Sequence, residues 1–148
     1  MTWFSHRVIT FVSVVLYTQD VWKASVAMLG STFPDRVERW LPGSWQKHHR
    51  KASHWFLLYL VVLFGLYVCP VCNEFQWNLV GFSRWYVSGC LAHIVEDSVC
   101  GRIPLFSPGK PRWVCPRLFY TGGWGENVFV FVYVVFVSVF CLFRLNLI

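Results

Sequence analysis

Residues 55–73 read WFLLYLVVLFGLYVCPVCN and residues 127–143 read NVFVFVYVVFVSVFCLF, two runs without a charged side chain. A helix crossing the hydrocarbon core of a bilayer needs about 20 mostly apolar residues. Both runs are of that order, and both are apolar all round, as expected of a segment facing lipid. The Val and Phe of the second would suit a strand, yet its length favours a span. These stretches decide the class: an all-helical, polytopic membrane protein.

Composition agrees. With 148 residues, 56% hydrophobic and 14% charged, and a mean hydropathy of +0.49, the chain lacks the polar surface of a soluble monomer. Its 9 Trp, 14 Phe and 6 Tyr exclude disorder. The net charge of +6 is read as basic loops facing anionic head groups, so membrane lipid is the expected partner and nucleic acid is not. Six cysteines lack the spacing of a disulfide scaffold or a four-Cys zinc site. CPVC at 69–72 is the one recognisable pair, and without a βαβ pattern around it small residues ending a helix are the plainer reading.

Working outward, residues 78–96 (NLVGFSRWYVSGCLAHIVE) form a further candidate span, with Arg84 near one end and His93 and Glu96 near the other. The stretch from Val8 to Phe33 is broken by Gln19, Asp20 and Lys23, and reads as one long helix or, preferably, as two short ones turning near Asp20. Four to five membrane-embedded helices in a single domain over 1–148 result, with 126–144 as an additional C-terminal transmembrane helix. No cleavable signal peptide is expected, because the small-residue cleavage pattern is missing. The loop 34–54 carries Arg36, Arg39, Lys47, Arg50 and Lys51, and the loop 97–125 carries Arg102, Lys110, Arg112 and Arg117. Loops so rich in Lys and Arg are expected on the cytoplasmic face.

Most of the histidines and acids gather at the helix ends on that side. In LAHIVEDS, His93 and Asp97 are spaced i, i+4 and share a helix face, where they can offer a nitrogen and an oxygen to one ion. An ion-paired couple is the plainer reading, but ionisable groups at a membrane helix are costly and point to function. KHHRKASHW at 47–55 holds His48, His49, Arg50 and His54, with Ser53 as a candidate N-cap for a helix starting at His54. Its plainer reading is a basic interfacial anchor. FPDRVE at 33–38 adds Asp35 and Glu38 after Pro34, otherwise a helix stop signal. Together these segments bring Asp35, His54, His93 and Asp97 to one depth, a mixture of N and O ligands that suits a divalent cation. Zinc with a water in an open position would lower the water's pKa towards about 7 and make a nucleophile without a Ser or Cys triad.

The ordered set SHRV (5–8), STFPDRVE (31–38), HRKASH (49–54), LAHIVED (91–97) and RIPLFSP (102–108) resembles the YdjM-like family of bacterial inner-membrane metal-dependent hydrolases. The resemblance covers roughly residues 1–113, the metal-site core, and leaves the last span outside the motifs. It implies a multi-pass inner-membrane protein, a scaffold like that of zinc-dependent phospholipases C, and phosphoester hydrolysis. The family's Pro-Asp-x-Asp-His has Val37 and Glu38 at its last two positions here. In its His-Arg-Gly-x-Thr-His-Ser, Lys51, Ser53 and Trp55 replace Gly, Thr and the final Ser.

The expected function is therefore a membrane-bound, metal-dependent hydrolase acting on a phosphoester such as a lipid head group at the cytoplasmic face, with Zn as the expected metal. Asp35, His54, His93 and Asp97 are the expected ligands, with His6 and His49 as additional ones. Glu38 is assigned as ligand or general base, and Arg50 as a phosphate contact. The alternatives are a non-enzymatic membrane protein that assembles with itself or a membrane partner, its polar cluster structural, and a basic membrane-surface adaptor.

Overall fold

The computed structural model describes residues 1–40, 50–68, 70, 74–108, 110 and 117–144. These form six α-helices: α1 (Trp3–Thr18), α2 (Val21–Gly30), α3 (Phe33–Trp40), α4 (Phe56–Val68), α5 (Glu74–Cys100) and α6 (Trp124–Arg144). A 3₁₀ turn, Ala52–His54, precedes α4. The two-helix reading of the N-terminal stretch holds, and its polar residues are the reason. Gln19 closes α1 in the left-handed region (φ 55°), and the Asp20 carboxylate accepts the amides of Trp22 and Lys23 at 2.9 and 3.1 Å, capping α2.

Pro34 does not simply stop a helix; it lies in the first turn of α3, where its missing N–H costs nothing. That start places Asp35 and Glu38 one turn apart on the buried side of α3. Ser53 does not N-cap the apolar helix, which begins at Phe56 rather than His54. The first amides of α4, Phe56 and Leu57, instead donate to the carbonyls of Pro104 and Leu105 at 3.1 and 3.3 Å. The RIPLFSP loop thus supplies acceptors that a helix N-terminus lacks.

α5 is the central element, packing on α2 and α4, while α1 packs on α2 and α6. The α2–α5 contact is backbone against backbone. A Cβ on Gly89 would stand 1.9 Å from the Ala27 carbonyl oxygen, and one on Gly30 would stand 2.0 Å from that of Tyr86. Small residues at such crossings are the usual means of close helix packing in lipid. Gly89→Val is expected to destabilise the protein by more than the ~1–3 kcal/mol of an ordinary overpacked core position, because the obstacle is main chain. Thermal unfolding in mild detergent checks this; a variant that melts with the wild type would refute the close packing.

The molecule is inside out relative to a soluble protein. Its buried residues include His6, Thr10, Asp35, Glu38, Ser53, His54, His93, Glu96, Asp97 and Glu126, whereas Phe64, Val68, Phe131, Phe136 and Phe143 are exposed. No residue of α4 is buried. Apolar surface on this scale marks contact with a membrane or a partner. Among the described residues, one stretch, Trp124–Phe143, is long and apolar enough to cross a bilayer unaided. That is fewer than the four to five spans expected. The uncharged run from 55 yields only the 13 residues of α4, and α2 has 10, against the ~20 of a full crossing.

Buried Glu126, in the first turn of α6, ties that helix to α1. Its carboxylate accepts the amides of Thr2 and Gly122, each at 2.7 Å, and the Ser5 hydroxyl. The last helix is thereby joined to the end of the bundle that carries the polar cluster.

Candidate metal centre

Four ligand-type atoms from three elements, α3, the 3₁₀ turn and α5, converge at this end. His54 Nε2 and His93 Nε2 lie 3.0 Å apart. Asp35 Oδ1 is 3.4 Å from the first and 3.6 Å from the second, and Asp97 Oδ2 is 3.5 and 3.8 Å from the same two atoms. A tetrahedral ion with bonds of ~2.0–2.1 Å requires ligand atoms ~3.3–3.4 Å apart. These five separations, 3.0–3.8 Å, bracket that edge length. Asp35 Oδ1 is buried without a well-aligned donor, although its partner oxygen is satisfied. Two overlapping triads, Asp35–His54–His93 and His6–His93–Asp97, each keep their ligand atoms within 4.8 Å of one another, so buried His and Asp groups here can hold a metal ion.

His54 and Asp35 are held from behind. Glu38 Oε1 lies 2.9 Å from His54 Nδ1 and also accepts the Ser53 hydroxyl and, at 2.9 Å, the Arg50 amide. A proton kept on Nδ1 leaves the Nε2 lone pair of a neutral His54 facing the cluster. Glu38 thus lies on the Nδ1 side of His54, away from the Nε2 atom that faces the cluster. Trp3 Nε1 donates to Asp35 Oδ2 at 2.8 Å, turning Oδ1 inward. Arg39 covers the Trp3 ring at 4.3 Å. The His93 ring rests against that of His6, with centroids 3.8 Å apart.

Charge is concentrated on Asp97. Arg50 grips it bidentately, Nε to Oδ2 at 3.0 Å and Nη2 to Oδ1 at 3.1 Å, while the Met1 amine donates to Oδ1. His6 Nε2 lies 3.4 Å from Oδ1, and its Nδ1 is 2.5 Å from Glu96 Oε2, which shares its carboxylate with the Thr10 hydroxyl. Arg50 holds its backbone at φ 56°, a conformation rare without glycine, and its guanidinium occupies the space where a side chain on Gly101 would begin. Burial would push the Asp35 carboxyl up, but the neighbouring imidazoles of His54 and His93 outweigh it and hold the group well below the usual range. Burial would likewise push His54 down, yet hydrogen bonds to Asp35, Asp97 and Glu38 raise it to about 10.

The structure thus brings together Asp35, His54, His93 and Asp97, with His6 beside them and Arg50 on Asp97. His49 lies outside the described residues. Sequence reasoning missed Trp3, Cys100 and Glu126. Trp3 stands one helical turn before His6 on the same face of α1, and Glu126 is the single acid opening an apolar helix. Either position could have flagged its residue. Cys100, whose Sγ lies 3.5 Å from Arg50 Nη2, carries no such signal.

Neither the curated proteins nor the solved structures include a match to this chain. A family match spans residues 1–147, so it takes in the last helix as well as the motif-bearing core. With a polar cluster enclosed by helices whose outer faces are apolar, the chain belongs to the family described as YdjM inner membrane protein.

Proposed function

We propose that the protein is a multi-pass inner-membrane, metal-dependent phosphoester hydrolase whose site opens on the cytoplasmic face. The observation that carries the reading is the convergence of His54 Nε2, His93 Nε2, Asp35 Oδ1 and Asp97 Oδ2 at near-tetrahedral separations inside a family of membrane proteins. Zinc suits two imidazoles and two carboxylates, and the zinc-phospholipase-like scaffold remains part of this proposal. When bound, such a cation supplies Lewis acidity towards a phosphoryl oxygen and acidifies a coordinated water.

The chain's own residues do the rest. Asp35, His54, His93 and Asp97 hold the ion, and His6 reaches Asp97 from the other side. Glu38 fixes the orientation of His54, and Trp3 that of Asp35. Arg50 is the site's anion-binding group: its side chain is 17% exposed where that of Asp97 is 2%, so it is the cationic group a phosphate meets on entry. The Lys and Arg of loops 34–54 and 97–125 support an orientation with this end towards the cytoplasm and anionic head groups. Helices shorter than ~20 residues are accommodated as membrane-embedded hairpins around α5 and α6.

Metal-loaded protein in detergent, assayed on a phospholipid panel and a model phosphodiester, is expected to show turnover that chelator abolishes. Arg50→Gln should reduce it by ~100-fold or more, the scale of losing one electrostatic stabiliser of the transition state. Full metal occupancy with no turnover on any phosphoester would overturn the hydrolase reading and leave a metal-stabilised assembly protein.

A further inference from the structure

A groove of about 300 Å³ opens beside the cluster between α1, α5 and α6, walled by Ile9, Ala92, Val95, Val99, Phe129 and Tyr133, with Glu96 also in its wall. Glu96 is the residue whose carboxylate holds His6 at 2.5 Å, so the groove abuts the polar cluster. Further along, α1 and α6 diverge around a second cavity of about 690 Å³ lined by Leu16, Tyr17, Gln19, Val137, Phe140 and Cys141. Ser13 lines both cavities, which are therefore adjacent. Its hydroxyl is used up within the wall, on the Ile9 carbonyl at 2.6 Å and the Tyr133 hydroxyl at 2.8 Å.

The track is long, narrow and apolar. On α6 it runs from Phe129 to Cys141, a rise of ~18 Å at 1.5 Å per residue. One leaflet of a bilayer is about half of the ~30 Å hydrocarbon core. The two cavities together are therefore about as long as one acyl chain, and the groove next to the cluster is walled mainly by apolar side chains. Its rim is continuous with exposed apolar surface: Val95 is 52% exposed, and Phe131 and Phe136 on the same helix as Phe129 are 69% and 68% exposed.

We propose that this track seats one acyl chain of a phospholipid whose head group lies at the His54–His93–Asp35–Asp97 cluster; the head-group half of this statement rests on the hydrolase reading above. The chain would enter sideways from the bilayer, leaving the phosphate beside Arg50. Lipid is thereby assigned as the substrate class, in preference to a water-soluble phosphoester.

Protein purified in mild detergent and washed free of loosely held lipid is expected to retain one phospholipid per chain by native mass spectrometry. Ala92→Phe and Val95→Trp, which fill the groove from α5, should lose that lipid while keeping the metal content of the wild type. A phospholipid carrying a diazirine on its acyl chain should label Ile9, Phe129 and Tyr133 of the unmodified protein above the outward-facing Phe131 and Phe136. Equal labelling of both sets, or lipid retention unchanged in both variants, overturns the proposal. So does a wild type that holds no lipid but dimerises and is made monomeric by Val95→Trp, which would assign the groove to a second copy. Neither retention nor labelling requires turnover. Lipid held in the track without hydrolysis keeps this assignment and removes the hydrolase, whereas hydrolysis of a soluble phosphodiester without retained lipid does the reverse.

Discussion

Protein purified in mild detergent without chelator is expected to carry close to one divalent ion per chain, and chelation should lower its unfolding temperature. A ligand that binds only the folded state stabilises it by linkage, ~4 kcal/mol when present at a thousandfold above its dissociation constant. The four ligand atoms come from α3, the 3₁₀ turn and two successive turns of α5, so they are gathered only on folding and the condition is met. His93→Ala removes the atom shared by both candidate triads. That variant should be metal-poor, and its unfolding should no longer respond to chelator. Elemental analysis alongside thermal unfolding checks both halves. A metal-free wild type whose stability is indifferent to chelator would refute the site.

Asp97→Asn is expected to have the largest effect on the metal-free protein. In the absence of an ion Asp97 is the shared counter-charge of Arg50, the Met1 amine and the neighbouring imidazoles of His6 and His54. It is almost wholly buried. Removing one partner of a buried ionic network strands the other charges, at a cost of ~3–5 kcal/mol. His93→Ala differs because the His93 imidazole is not a counter-charge and its Nδ1 makes no hydrogen bond, so little is lost when no metal is bound. Unfolding in chelator should therefore rank wild type close to His93→Ala, with Asp97→Asn far below both. If Asp97→Asn melted with the wild type in chelator, Asp97 would be no more than a ligand, and the charge balance described above would be wrong.

The two predictions separate what the residues do with an ion from what they do without one. They also bear on the departures from the family pattern. Glu38 stands where the family has a histidine, and here its carboxylate fixes His54 from behind. Lys51 stands where the family has a glycine, directly after Arg50 with its positive φ. The strained residue is thus the one whose guanidinium spans from the 3₁₀ turn to Asp97.

Much was legible in the order of residues alone. Uncharged apolar runs in a chain with 56% hydrophobic and 14% charged residues point to a membrane protein, because too little polar surface is left to cover them. Asp20 between two apolar stretches declares a hairpin because its carboxylate caps the following amides. The i, i+4 spacing of His93 and Asp97 puts both on one face of α5 wherever that helix goes. These are local properties, set within one or two helical turns. What tertiary structure alone decided is of longer range. Whether Asp35, 58 positions from His93 by number, faces it at 3.6 Å depends on how closely α2 and α5 cross at Gly30 and Gly89. That Glu38 meets His54 at Nδ1 depends on which side of His54 the short helix α3 presents. Helix ends depend on partners elsewhere too, as when Pro104 and Leu105 receive the first amides of α4. Such contacts join residues far apart in the chain, and local periodicity carries no record of them.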